Sequence, residues 1–172
     1  NPINGVLAMC IEAKNLGIRR VILPKANEIE GGIVKSLEII GVKNLNEVIN
    51  YLNRSINIPA INIDTIKMLN KKTKDEIDFS EIKGQENAKR ALEISAAGGH
   101  NCLLLGEPGA GKTMMAKRVT TILPDLSLEE ALECTKIYSI SGILDNQIGM
   151  ITTRPFRSPH HTISGTTIIG GG

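Results

Sequence analysis

The sequence predicts an α/β protein: a parallel sheet with flanking helices around a phosphate-binding loop, preceded by part of a smaller α/β domain. Three observations carry this prediction. Residues 106–113 read Gly106-Glu107-Pro108-Gly109-Ala110-Gly111-Lys112-Thr113, which fits G-x-x-x-x-G-K-[ST]. A chance match in a chain of this size arises on the order of 1% of the time. The octet also has the right neighbours. The apolar run 101–105 before it suits a strand buried on both faces, and residues 112–122 after it suit a helix, which Pro124 stops. Third, residues 1–55 carry alternating helix and strand signals of their own.

Taken in order, Val6, Met9, Cys10, Ala13 and Leu16 form a helical stripe. Gly17 followed by Ile18 is a glycine stop with its hydrophobe. Val21-Ile22-Leu23 is a strand ended by Pro24, and residues 37–42 are a second. Asn44 with Glu47 makes a capping box for a helix to about Asn53, with Leu45, Val48, Ile49 and Leu52 on its inner face. Helix, strand, strand, helix is half of a small α/β domain, spanning 1–55. Residues 56–77 read as a linker, with Pro59 and the polar run 70–76. Residues 84–97 predict a helix closed by Gly98-Gly99, and Ser127 with Glu130 a second capping box, opening a helix toward Tyr138. From Ile140 onward the signals are short strands and turns.

The octet has a definite chemistry. Its glycines let backbone N–H groups turn inward around a polyphosphate. The following helix adds its positive N-terminal end. Lys112 reaches the β- and γ-phosphates, and the Thr113 hydroxyl ligates Mg²⁺. ATP and Mg²⁺ are the expected ligands, with Gly106, Glu107, Pro108, Gly109, Ala110, Gly111, Lys112 and Thr113 as the binding set and Lys112 as its catalytic member. A glycine turn before a surface helix that binds nothing is the plainer alternative.

Composition sets limits. The 172 residues are 41% hydrophobic and 22% charged, as in ordinary globular proteins, and the net charge of +2 argues nothing about nucleic acid. The charge is uneven: 11 Lys/Arg stand against 6 Asp/Glu up to Lys74, and 9 against 12 beyond it. The basic N-terminal part hints at an anionic partner, though a solvated face reads the same way. Aromatics are 2%, which argues against an aromatic platform for stacking bases. Cys10, Cys102 and Cys134 lack C-x-x-C spacing; Cys10 and Cys102 sit in apolar runs and are expected to be buried thiols in a reducing, cytoplasmic setting. No apolar run approaches the length of a membrane span. A start at Asn1 and an end in Gly170-Gly171-Gly172 are what an internal piece of a longer protein would show.

Two further stretches carry a family resemblance. The run Asp78-Phe79-Ser80-Glu81-Ile82-Lys83-Gly84-Gln85-Glu86-Asn87-Ala88-Lys89-Arg90-Ala91-Leu92 resembles the segment before the P-loop in AAA+ ATPases, which lies against the adenine. The run Arg154-Pro155-Phe156-Arg157-Ser158-Pro159-His160-His161-Thr162-Ile163-Ser164, with Ile168-Ile169-Gly170-Gly171-Gly172, resembles the signature of magnesium-chelatase-like AAA+ ATPases of the ComM/YifB type. In that family a Lon-protease-like domain precedes the ATPase, and residues 1–24 resemble its end. Active Lon proteases carry a catalytic lysine where this chain has Leu7, which cannot transfer a proton. The resemblance implies a structural Lon-like part over 1–55, a linker over 56–77, and the first part of the ATPase domain over 78–172. It implies a homo-hexameric, DNA-acting motor, with no membrane role. The alternatives are a magnesium-chelatase motor subunit or a non-catalytic nucleotide-binding module.

The acidic Walker B strand, sensor and arginine finger that hydrolysis needs are not found. Ile143-Leu144-Asp145-Asn146 is a faint candidate for the acidic strand and reads better as a turn. These 172 residues alone are therefore expected to hold nucleotide without hydrolysing it. Arg154, Arg157, His160 and His161 either face the pore of a ring and touch DNA phosphates or organise a local turn fixed by Pro155 and Pro159. The adjacent histidines would point to opposite faces, with no third metal ligand nearby.

Overall fold

A computed structural model describes residues 1–70, 77–145 and 147–159 of the chain. The chain forms two compact units, 1–74 with 125–153 and 75–124 with 154–172.

In the first unit, α1 (Val6–Asn15) follows Gly5 at φ 77. Its end is the predicted glycine stop: Gly17 lies at φ 76, and the N–H groups of Gly17 and Ile18 donate to Lys14 O and Ala13 O, each at 3.0 Å. β1 (Arg20–Pro24) and β2 (Glu38–Val42) pair in parallel, with Val21 opposite Ile39 and Leu23 opposite Gly41. A 3-10 turn at Lys25–Asn27 and α2 (Glu28–Gly32) make the crossover. The sequence gives no periodic signal for α2, whose five residues end in two glycines. Those glycines serve packing: a Cβ on Gly31 would come within 2.5 Å of Leu23 Cδ1.

α3 (Leu45–Leu52) is capped by Asn44, whose side chain accepts from Glu47 N–H at 3.0 Å, while the Glu47 carboxylate takes the Lys43 N–H at 2.8 Å. Its expected inner face is a correction. No residue of α3 is buried: Val48 is only half-buried, and Leu45, Ile49 and Leu52 stay largely exposed, Leu45 at 71%, because its main contact among the described elements is a narrow one, with β2. Ile61 forms an antiparallel bridge to Ile39, and α4 (Thr65–Leu69), capped by Asp64, follows. α7 (Leu128–Ile140) starts in the predicted capping box of Ser127 and Glu130 and packs on α1.

The core of this unit is Val6, Leu7, Cys10, Ile39, Ala131 and Met150 with their neighbours. Of the α1 stripe, Val6 and Cys10 are buried while Met9 and Leu16 are exposed. Leu7 takes their place, fully buried. At its centre sits a carboxylate the sequence did not single out. Glu30 is 2% exposed and accepts from Leu7 N–H at 2.8 Å, from the Ser139 hydroxyl and from Asn27 Nδ2 at 3.2 Å. Asn27 in turn holds both backbone groups of Ile3. Every polar atom here has a partner, which is the condition for burying a carboxylate.

In the second unit a 3-10 turn at Phe79–Glu81 leads to α5 (Glu86–Gly98), ended by Gly99 at φ 63. Then comes α6 (Lys112–Arg118), continued by a 3-10 turn at Val119–Thr121. Phe79, Ile82, Leu92 and Met115 form its small core. Residues 101–105 are not a strand: Leu105 is 84% exposed, and Cys102 is exposed rather than buried. A strand exists through its ladder partners, and no strand among the described residues lies beside this run. The expected buried parallel sheet is thus absent from the described part of this unit, and the parallel pair lies in the first unit. After Ile140 the described residues form turns without strands. Among the described residues no helix is long and apolar enough to cross a membrane.

Candidate phosphate-loop site

The octet lies between the unpaired run 101–105 and α6. Gly109 and Gly111 sit at φ 84 and φ 80, in the left-handed region where a side chain is strained. Gly111 is also the residue before α6, so the helix begins directly from the loop. Ala110 N–H closes a tight turn onto Glu107 O at 3.2 Å. The Lys112 ammonium folds back over the loop and donates to Gly106 O and Glu107 O, each at 2.7 Å. Thr113 is exposed in the first turn of α6. Two positive-φ glycines, an ammonium turned to the loop and an exposed hydroxyl one residue later form a donor set that suits an anionic polyphosphate and its Mg²⁺.

Two supports come from the 78–92 segment, through contacts the resemblance did not specify. Gln85, at φ 57 before α5, donates from Nε2 to Ala110 O at 3.4 Å, tethering the start of α5 to the loop. Arg118, at the end of α6, grips Glu81 through Nη2 at 2.6 Å and Nε at 3.1 Å. Phe79 N–H meets the Thr121 hydroxyl at 3.1 Å. Residues 78–92 are therefore docked against the helix that follows the loop. Asp78 caps this segment; its carboxyl is held below the usual range by hydrogen bonds from Ser80. The motif marks the loop, but nothing in it names partners 20 or more residues away.

The other candidates separate. Arg154 donates from Nε to Pro124 O at 2.7 Å and is half-buried, as a turn-organising residue would be. Arg157 is exposed. His160 and His161 lie outside the described residues, as do Asn146, the run 71–76 and the 168–172 ending. Asp145 is in a turn, as expected: its carboxylate accepts from Gln147 N–H at 2.8 Å, and its carbonyl from Ile148 and Gly149 N–H. Among the described residues no group of three or more His, Cys, Asp or Glu is placed to hold a metal ion.

The chain is a mixed α/β protein whose G-x-x-x-x-G-K-T loop opens a helix. Known proteins narrow the class. A family model described as magnesium chelatase, subunit ChlI, matches residues 78–172, more than half of the chain. The protein YifB of Escherichia coli (strain K12) is 41% identical over 170 residues, 98% of this chain and 32% of that protein. Competence protein ComM of Haemophilus influenzae is 36% identical over 173 residues, 99% of this chain and 33% of that protein. An archaeal Lon protease of Methanothermobacter thermautotrophicus is similar over a shorter stretch, 41% identical over 54 residues. The chain belongs to the magnesium chelatase family, in the ComM/YifB type of AAA+-like proteins. It spans about a third of the length of the ComM and YifB relatives.

Proposed function

We propose that the protein binds ATP with Mg²⁺ at residues 106–113 and, within a longer chain, belongs to a cytoplasmic ring of identical subunits that hydrolyses ATP to move DNA. The observation that carries this reading is the octet itself, with its self-held Lys112 and left-handed glycines, inside the region matched by the family. Similarity to competence protein ComM along nearly the whole chain supports the DNA-directed task.

In this reading bound ATP·Mg²⁺ supplies the phosphoanhydride to be cleaved. Lys112, now held by two loop carbonyls, would hold phosphate oxygens instead and neutralise their charge. Gly109 and Gly111 allow backbone N–H groups to line the phosphates. The exposed Thr113 hydroxyl would hold the metal. Gln85 and the Arg118–Glu81 pair hold α5 and α6 as the walls of the site. Asp145 takes no part, since its carboxylate is committed to its own turn, and the acid that activates water comes from elsewhere in the longer protein. Arg154 and Arg157 are proposed as pore-facing DNA contacts together with His160 and His161, Arg154 bracing its own turn through Pro124 O.

Titration calorimetry with ATP·Mg²⁺ tests the reading: Lys112→Ala should lower affinity, and equal affinities would remove its basis. The family description favours a second reading, a motor subunit driving metal insertion into a tetrapyrrole. DNA-stimulated ATP turnover by the full-length protein separates the two, since a chelatase motor would show none.

A further inference from the structure

The N-terminal excess of positive charge has a structural focus. At the C-terminal end of α3 the helix closes with the same hydrogen-bond pattern as α1. Arg54 N–H donates to Tyr51 O at 3.1 Å and Ser55 N–H to Asn50 O at 2.8 Å. At α1 the left-handed position is Gly17; here it is Arg54, at φ 60. A non-glycine residue there is strained, and such outliers persist where something else needs the side chain. Its guanidinium has no hydrogen bond or ion pair among the described residues.

Arg54 lines a polar cleft of about 370 Å³ with Arg20, Tyr51, Leu52, Ile56 and Asn57. Arg20 lies over the Tyr51 ring, 5.9 Å from its centroid, and pairs with Glu38 at 2.6 Å. A second cleft of about 240 Å³ shares Ile56 and Asn57 with the first and adds Lys25, Gly41, Lys43, Glu47 and Ile58. Lys25 is paired with Glu28. The Lys43 ammonium has no partner among the described residues, while its backbone N–H occupies the Glu47 carboxylate. The two clefts thus form one groove across the 56–58 backbone. At the first end Arg20 is neutralised by Glu38 and Arg54 is left uncompensated; at the second Lys25 is neutralised by Glu28, and the Lys43 ammonium shares the lining with the Glu47 carboxylate without an ion pair.

We infer that this groove is a track for the phosphodiester backbone of a polynucleotide, with Arg54 and Lys43 each meeting a phosphate. Separated single cations on a groove suit a chain of regularly spaced monoanions. With one aromatic ring present, and that ring covered by Arg20, the groove reads backbone charge and not bases. The inference rests on the DNA-acting reading and deepens it by assigning DNA contacts to the N-terminal unit.

The test uses the full-length protein, a labelled 40-mer DNA, and anisotropy titrations over a range of salt. Arg54→Gly is the informative variant, because it puts the preferred residue at the left-handed position. Its melting temperature should be unchanged or raised while DNA affinity falls several-fold. The slope of log K against log salt should decrease by about one, and Lys43→Gln should remove about one more. ATP affinity should not change. A double variant that keeps the parental affinity and slope overturns the track but leaves the DNA-acting reading standing. A parent that binds no DNA overturns both. Inorganic phosphate at matched ionic strength is the second arm: weak displacement of DNA supports a polynucleotide track, and complete displacement at millimolar phosphate makes this a free-phosphate site and overturns the assignment.

Discussion

The two units differ in an instructive way. The first, 1–74 with 125–153, has no recognisable chemical motif, yet it holds the larger core, the sheet and a fully partnered buried carboxylate. The second carries the G-x-x-x-x-G-K-T loop on a core of four buried residues. Its most apolar run, 101–105, is turned largely to solvent. A motif and a self-sufficient fold are separate properties. The loop needs glycines and a lysine at fixed spacing, which eight residues supply. A sheet needs partner strands, which the described part of this unit does not contain.

The sharpest way to break this contrast is Leu7→Ala. The Leu7 side chain is fully buried, so its truncation should destabilise the first unit by about 2–5 kcal/mol. Calorimetric melting should show this with ATP affinity preserved, and a fall in affinity of similar size would mean that the two units act as one.

Alkaline pH should separate them nearly as strongly. Burial, with Glu30 nearby, pushes the Cys10 thiol from 9.0 up to about 11. The folded state holds that proton more tightly than the unfolded state. Stability from this group is complete below pH 9 and is lost as pH rises toward 11, by about 2–3 kcal/mol in all. Cys10→Ala should flatten that decline in chemical denaturation curves. At pH 8 a thiol reagent should modify exposed Cys102 and spare Cys10; equal labelling would contradict the burial.

Lys112→Ala sharpens the contrast from the other side. It should weaken ATP binding roughly tenfold or more, the equivalent of about 1.5–3 kcal/mol, and leave the first unit's melting unchanged. The smallest effect belongs to Arg118→Ala. Glu81 is about half exposed, so the pair contributes about 1 kcal/mol or less. Its loss should appear as faster amide exchange in residues 79–82 with little change in overall melting.

Local chemistry was legible in the sequence. Gly17 with Ile18 and Ser127 with Glu130 made the ends they announced, because caps are settled within a few residues; Asn44 capped α3 as expected, but the box stayed half-formed, since the Glu47 carboxylate took Lys43 N–H instead of Asn44 N–H. Long-range packing was not. Leu45, Ile49 and Leu52 have helical spacing, but spacing only says that they share a face and not that anything covers it. The 101–105 run has the composition of a buried strand without the neighbours that would make it one. Glu30 looks in sequence like any surface acid. Its burial depends on Leu7, Asn27 and Ser139, the last more than 100 residues away. At the loop the pattern was plain and the 78–92 segment was marked by its resemblance, while nothing said that Gln85 and Glu81 within it brace the loop.

The grip of Lys112 on Gly106 O and Glu107 O bears on speed as well as affinity. In this arrangement two carbonyl dipoles face the ammonium that a phosphate must claim. On the proposed nucleotide-binding reading, nucleotide would therefore enter by exchange: the lysine would let go, or the two peptides turn, before the phosphates settle. When such a rearrangement precedes capture, the observed association rate stops rising with nucleotide concentration and levels off at the rate of release, below the diffusional limit. Stopped-flow mixing with a fluorescent ATP analogue should reveal that plateau. A Lys112→Ala loop, with nothing to release, should bind weakly but without it.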